Sequence, residues 1–207
     1  MDLDRISTRT AELAAKLEIQ PPRIETGTVP RSCTAGLYAR IRKQPVLVVG
    51  SAFERLTVAE QDGALAEHLV ALDLLRAGRP KSRVAIMVIT LALLTFLLLG
   101  VGGYIDAPPW QAAFAGGLVG LAMYMIVTYV VMAFWSRRIT YQTDRRLAVV
   151  FGRPFMNFML DLDARLRSQP LGVAGPFLKL AMPSEARRAH RLDAIVPAPA
   201  RSTITSP

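Results

Sequence analysis

The sequence predicts an α+β fold, mainly helical, in which a small cytoplasmic domain is interrupted by a two-helix transmembrane hairpin. Three observations predict it. Two long apolar runs without a charge, 84–105 and 110–135, occupy the middle of the chain. The segments on either side carry every lysine and arginine and show amphipathic helical spacing. One compact β-branched run, Val46-Leu47-Val48-Val49, anchors a small sheet. The chain then divides into a cytoplasmic N-terminal part at 1–83, the hairpin at 84–135, a cytoplasmic helical part at 136–195 and a disordered tail at 196–207 rich in Pro, Ala, Ser and Thr.

The first element is a helix from Ser7 to Leu17, with Ile6, Leu13, Ala14 and Leu17 on its apolar face and Gln20-Pro21-Pro22 as its stop. Arg23 to Thr28 reads as a short strand. Arg31 to Leu37, with its Ser, Cys, Thr and Gly, reads as a turn. Tyr38 to Ile41 and Pro45 to Val49 could then pair as a hairpin, and if the second strand lies at a sheet edge, Pro45 is tolerable as its first residue. Thr57 and Glu60 form a T-x-x-E capping box that starts a helix to Leu75. Its apolar face is Leu65, Leu69, Leu72 and Leu75, and Gly78-Arg79-Pro80 separates it from the first span.

Val84 to Ile105 would cover about 33 Å as a helix, enough to cross a bilayer core. Trp110 to Trp135 is slightly longer, and Asp106-Ala107-Pro108-Pro109 forces a tight turn between them. Tyr104 and Trp110 suit one membrane interface and Trp135 the other. Gly116 and Gly120 have small-xxx-small spacing, which serves either another helix or the other arm of the hairpin. After the hairpin, Ser136 to Phe151 is basic near the membrane and apolar beyond, and Gly152-Arg153-Pro154 breaks it. Pro154 to Leu166 follows as a helix with Phe155, Phe158, Met159, Leu162 and Leu166 inward. Ser184 to Ile195 is a short basic helix.

The net charge of +9 belongs to the membrane flanks. Arg76, Arg79, Lys81 and Arg83 precede the apolar region, and Arg137, Arg138, Arg145 and Arg146 follow it. That is the positive-inside pattern, and it puts both termini in the cytoplasm. No interleaving of basic and aromatic residues suggests nucleic acid. A single cysteine, Cys33, excludes an intrachain disulfide and has no histidine in a nucleophile-activating arrangement with it. The N-terminus lacks the apolar core of a cleavable signal, so the first span serves as the targeting signal. P-loop, G-x-G-x-x-G and G-x-S-x-G motifs are missing.

Taken in order, these segments resemble the HtpX-type integral-membrane zinc metallopeptidases. The resemblance rests on Leu13-Ala-Ala-Lys-Leu17 with Pro21-Pro22, and on Pro45-Val-Leu-Val-Val49 with Leu56-Thr-Val-Ala-Glu60. It continues through the hairpin, Ser136-Arg-Arg138 with Tyr141 and Asp144, and Gly152-Arg-Pro154. Met182-Pro-Ser184 with Arg187 and Leu192 resembles the family's late H-P-x-x-x-x-R segment. In the family an H-E-x-x-H helix supplies two zinc ligands and a general base. In that register Glu67 takes the first His position, His68 the Glu and Ala71 the second His. Thr140 stands where the third ligand, a Glu, belongs, and Met182 replaces the late His. Asp144 keeps what the family uses as a supporting residue, and the family's N-terminal transmembrane pair has no counterpart.

The resemblance therefore implies a metallopeptidase-like scaffold with a degenerate site at Glu67, His68, Ala71 and Thr140. It implies neither a catalytic residue nor a metal or other cofactor. Catalytic zinc takes about three protein ligands, and the chain has only two histidines, His68 and His190. The alternative is an active zinc metalloendopeptidase with a rearranged ligand set from Glu67, His68, Asp144 and His190. The expected partners are the lipid bilayer, in a bacterial plasma membrane, and another membrane protein that the chain serves as an accessory or scaffold subunit. A purely structural membrane subunit is the third possibility.

Overall fold

The computed structural model describes residues 2–30, 33–40, 44–100, 109–167 and 182–195, with 79–86, 88–89, 92–100, 109–117 and 167 described as backbone only. The chain is α+β and mainly helical. Helix α1 (Leu3–Lys16) leads into strand β1 (Arg23–Thr26), then β2 (Leu37–Arg40) and β3 (Val46–Val49). A 3-10 turn at Ser51–Arg55 precedes two long helices, α2 (Val58–Gly100) and α3 (Pro109–Arg167), and a short α4 (Glu185–Ile195) closes the described chain.

Helix α1 begins before the expected Ser7, because the Asp2 carboxylate caps it by accepting from the Arg5 amide at 3.0 Å. It ends at Leu17, where Glu18 adopts a left-handed φ of 56°, so the prolines at 21–22 follow a helix that has already stopped. Ile6, Leu13, Ala14 and Leu17 are buried as the spacing predicts.

The sheet order is β1-β3-β2, with β1 parallel and β2 antiparallel to β3. The hairpin of β2 and β3 is as expected, but β3 is the central strand rather than an edge. All four of its residues are buried, which is what a continuous Val/Leu run allows and an edge position does not require. Pro45 is compatible with this position because it lies just outside β3 and lends its carbonyl to the Arg23 amide at 3.0 Å.

Helix α2 does not break at 78–80. Gly78 lets Trp135 of α3 lie against the helix backbone: a Cβ there would stand 2.5 Å from the Trp135 ring. Close packing of α3 at Gly78 thus accompanies an unbroken helix despite the local penalty for Gly and Pro. In α3 the break at Gly152 does occur. Gly152 has φ 81° and ψ 176°, a conformation open essentially to glycine alone, and it kinks the helix. The kink turns the following segment so that Met156, Met159, Leu160 and Leu162 are buried, while Phe155, Phe158 and Leu166 are only half-buried.

The core draws on both ends of the chain. Leu13, Leu47, Leu65 and Leu69 pack in one cluster with Leu147, Met156 and Leu192. Each such side chain contributes on the order of 1.5–3 kcal/mol by leaving water. Polar ties cross the same seams. Arg9 grips Asp62 through two bonds of 2.9 and 2.7 Å. Arg146 of α3 donates to Asp73 of α2 at 2.7 Å and to the Leu17 carbonyl at the end of α1 at 2.8 Å.

Among the described residues one helical stretch, Leu118–Leu166, is long and apolar enough to cross a membrane. Its first part is broadly exposed, as at Met125 (61%), Ile126 (59%) and Phe134 (68%). The other expected span falls on residues whose side chains are mostly outside the description, and the turn before Pro109, with Tyr104, lies outside it entirely. Of the paired glycines, Gly120 is buried and Gly116 is described as backbone only. The expected disordered tail from Val196 also lies outside the described residues.

Candidate functional site

The capping box forms as the sequence predicts. The Thr57 amide donates to Glu60 Oε2 at 2.8 Å, and the Glu60 amide donates to Thr57 Oγ1 at 3.4 Å. The other Glu60 oxygen accepts from Arg165 at 2.6 Å, tying the start of α2 to the far end of α3. The Thr57 amide, and then Arg165, hold the Glu60 carboxyl below the usual carboxylate range despite its burial.

Two turns further along α2 come Glu67, His68 and Ala71. His68 Nδ1 lies 2.8 Å from the Ala64 carbonyl, which can only accept, so this nitrogen carries the proton. The backbone of Leu37, at the start of β2, lies beside the same ring. Desolvation pushes the imidazole below its ordinary value, only partly offset by Ala64 and the charge of Asp163. His68 is therefore a neutral histidine wedged between helix and sheet. Ala71 has only a methyl group to offer. Thr140 turns its hydroxyl back onto α3, donating to the Ser136 carbonyl at 3.0 Å.

The charged centre of this region is a residue the sequence reading passed over. Arg188 of α4 is 1% exposed. Its Nε and one terminal nitrogen donate to the two oxygens of Asp144 at 2.8 and 2.7 Å, a bidentate fork. Its remaining nitrogen donates to Asp163, beyond the kink. Burial acts to lower the guanidinium's pKa, but the Asp144 hydrogen bonds and the charges of Asp144, Asp163 and Glu67 overcome it, so Arg188 stays protonated. One cation thus joins both limbs of α3 to α4 and faces α2.

The arginine of this segment is Arg188, not the Arg187 that the resemblance led us to expect. Counted from Pro183, the spacing P-x-x-x-x-R lands on Arg188. Arg187 is exposed, because one residue is about 100° of helix. Asp163 was also missed. Its signal was a carboxylate inside an apolar run, Met159-Leu160-Asp161-Leu162-Asp163, where a buried partner is the usual explanation.

Compared with family models, curated proteins and solved structures, the chain finds no match. The zinc site of the H-E-x-x-H enzymes can still be set against the donors in place. Ala71 offers none, the Thr140 hydroxyl is engaged with its own helix, and both Asp144 oxygens are engaged with Arg188. Met182 stands at the late His position and is 37% exposed. His190 of α4 is exposed and lines a different space. Among the described residues no group of three or more His, Cys, Asp or Glu converges to hold an ion. These residues do not fit the catalytic zinc of an H-E-x-x-H enzyme.

Beside this cluster, between α4 and the part of α3 that precedes the kink, lies an open groove of about 910 Å³. Arg137, Arg138, Arg145, Arg187, Arg188 and Arg191 contribute to its wall. Asp144 is the one carboxylate among its lining residues. Arg191 stacks over the Tyr141 ring, its guanidinium carbon 4.0 Å from the ring centroid.

Proposed function

We propose that the chain is a membrane-anchored protein with the build of an HtpX-type metallopeptidase and without its zinc chemistry. It works by binding, as an accessory or scaffold subunit of a membrane-protein complex. Two spans, 84–105 and 110–135, hold it in the bilayer with both termini in the cytoplasm.

The observation that carries this reading is the Arg188 cluster. A carboxylate held bidentate by a buried arginine has its charge and its best-placed lone pairs already committed, so recruiting it to an ion would disturb a buried pair, which is costly. Asp144 is in that position, so the rearranged ligand set loses a member. The same cluster is well suited to a scaffold, because it fixes α4 and both limbs of α3 against one another. The sheet supplies a second support. Among the described strands β1 and β2 each pair on one side only, which suits strand addition by an extended partner segment.

Purification in a gentle detergent, with metal analysis and identification of co-purifying proteins, tests this. The expected result is a stoichiometric membrane-protein partner, sub-stoichiometric zinc and no chelator-sensitive cleavage of casein. One tightly held zinc per chain together with casein cleavage would overturn it.

A further inference from the structure

We infer that the arginine-lined groove between α3 and α4 binds the phosphate headgroup of an anionic phospholipid at the cytoplasmic face of the membrane. The inference rests on the reading of α3 as a membrane span.

Register orients the groove. Arg188 pairs with Asp144, and Arg191 stacks on Tyr141, so α4 runs antiparallel to this part of α3. Ile195, at the end of α4, therefore lies toward Phe134, where the exposed apolar surface of α3 begins. Ile195 and Phe134 line the groove and are 40% and 68% exposed. They form an apolar mouth on the membrane side. The arginines follow further from the membrane. On α3, Arg138 and Arg145 share a face with Tyr141, two turns or about 10 Å apart. On α4, Arg187 and Arg191 stand at i and i+4 on the opposing face.

The groove thus has the polarity of a phospholipid, with an apolar entrance continuous with the bilayer and guanidinium groups at headgroup level. Five arginines besides Arg188 line it, and the one lining carboxylate, Asp144, is neutralised by Arg188 from within. Guanidinium forks match phosphate geometry. The volume of about 910 Å³ is within the range of small-molecule sites. Basic pockets beside cytoplasmic span ends are a recurring setting for anionic headgroups. The apolar mouth favours a lipid over a soluble phosphate.

The full chain, purified in a neutral detergent, is titrated with phosphatidylglycerol, phosphatidylcholine or inorganic phosphate, and bound lipid is counted by native mass spectrometry. Phosphatidylglycerol should be retained at least about tenfold better than phosphatidylcholine. Arg138→Gln, Arg145→Gln and Arg187→Gln together should weaken it by on the order of a hundredfold, about fivefold for each charge. Lys16→Gln, Arg40→Gln and Arg55→Gln remove equal charge from exposed positions elsewhere and should leave the preference intact. Unchanged melting temperatures confirm that both triple variants are folded, and the single variants Arg138→Gln and Arg145→Gln replace the first triple if it is not. Equal retention of the two lipids, equal loss in the control variant, or displacement of phosphatidylglycerol by millimolar inorganic phosphate each overturns the lipid site. Flotation with phosphatidylcholine vesicles separates the two failures. A chain that floats without a headgroup preference sinks only the site, whereas one that does not float sinks the membrane reading itself.

Discussion

Arg188 shows how much one side chain can settle. It is 1% exposed and holds Asp144 and Asp163 at once. Arg188→Ala leaves two carboxylates facing an empty buried space, and is expected to cost about 3–5 kcal/mol. Arg188→Lys should recover little, since an ammonium cannot reproduce the fork on Asp144. Thermal unfolding of both variants in detergent measures this, and a lysine variant as stable as the parent would refute it. His68 makes a second residue-scale prediction. Its folded-state pKa lies below its ordinary value of 6.5, so below that pH the unfolded chain takes up the proton more readily. Stability is fully present above pH 6.5 and declines as pH falls through it toward the folded value. His68→Gln should flatten the melting-temperature profile between pH 7 and 5.5, a window above the region where Glu60 titrates. Parallel profiles for the two proteins would show that His68 is not held neutral.

Among the elements, α3 is the most instructive. Gly152 places one residue in a backbone conformation that side chains avoid, and the kink it makes brings Asp163 back to Arg188. Gly152→Ala is expected to destabilise the fold by about 1–3 kcal/mol, measurable as a lowered melting temperature with the long helix still present by circular dichroism. A neutral substitution would mean that the kink survives without glycine. The break at Gly152 was legible from Gly152-Arg-Pro154, as the start of α2 was from Thr57-x-x-Glu60, because both are local devices. The continuity of α2 through Pro80 was not legible. Beside it Trp135 packs against Gly78, a contact between residues far apart in the chain. The central place of β3 was hidden for a similar reason, since β1 joins it in parallel from before the hairpin. At the candidate site Asp144 was legible, and the structure pairs it with Arg188. The arginine itself was obscured by a one-residue error between Arg187 and Arg188.

Seen whole, the molecule is a packed helix-and-sheet cluster continuous with a long exposed apolar helix. Ile126 sits within the exposed stretch. Ile126→Arg would place a charge near mid-bilayer at a cost of about 2.5–3.5 kcal/mol, while Ile126→Leu is neutral there. The arginine variant should shift from the carbonate-resistant membrane fraction toward the supernatant, and the leucine variant should not. Equal retention of both would argue against α3 as a span.

The shared core of early and late residues also sets a timetable. Leu13, Leu47 and Leu69 cannot complete their packing until Leu147, Met156 and Leu192 have left the ribosome. At about 5–20 residues per second that wait lasts on the order of ten seconds, during which the first half of the domain exposes its apolar face. On the proposed reading of 84–135 as a membrane hairpin, insertion of that segment precedes folding of the domain it interrupts. Such an insertion would also bring Gly78 and Trp135 side by side, turning a distant closure into a local one.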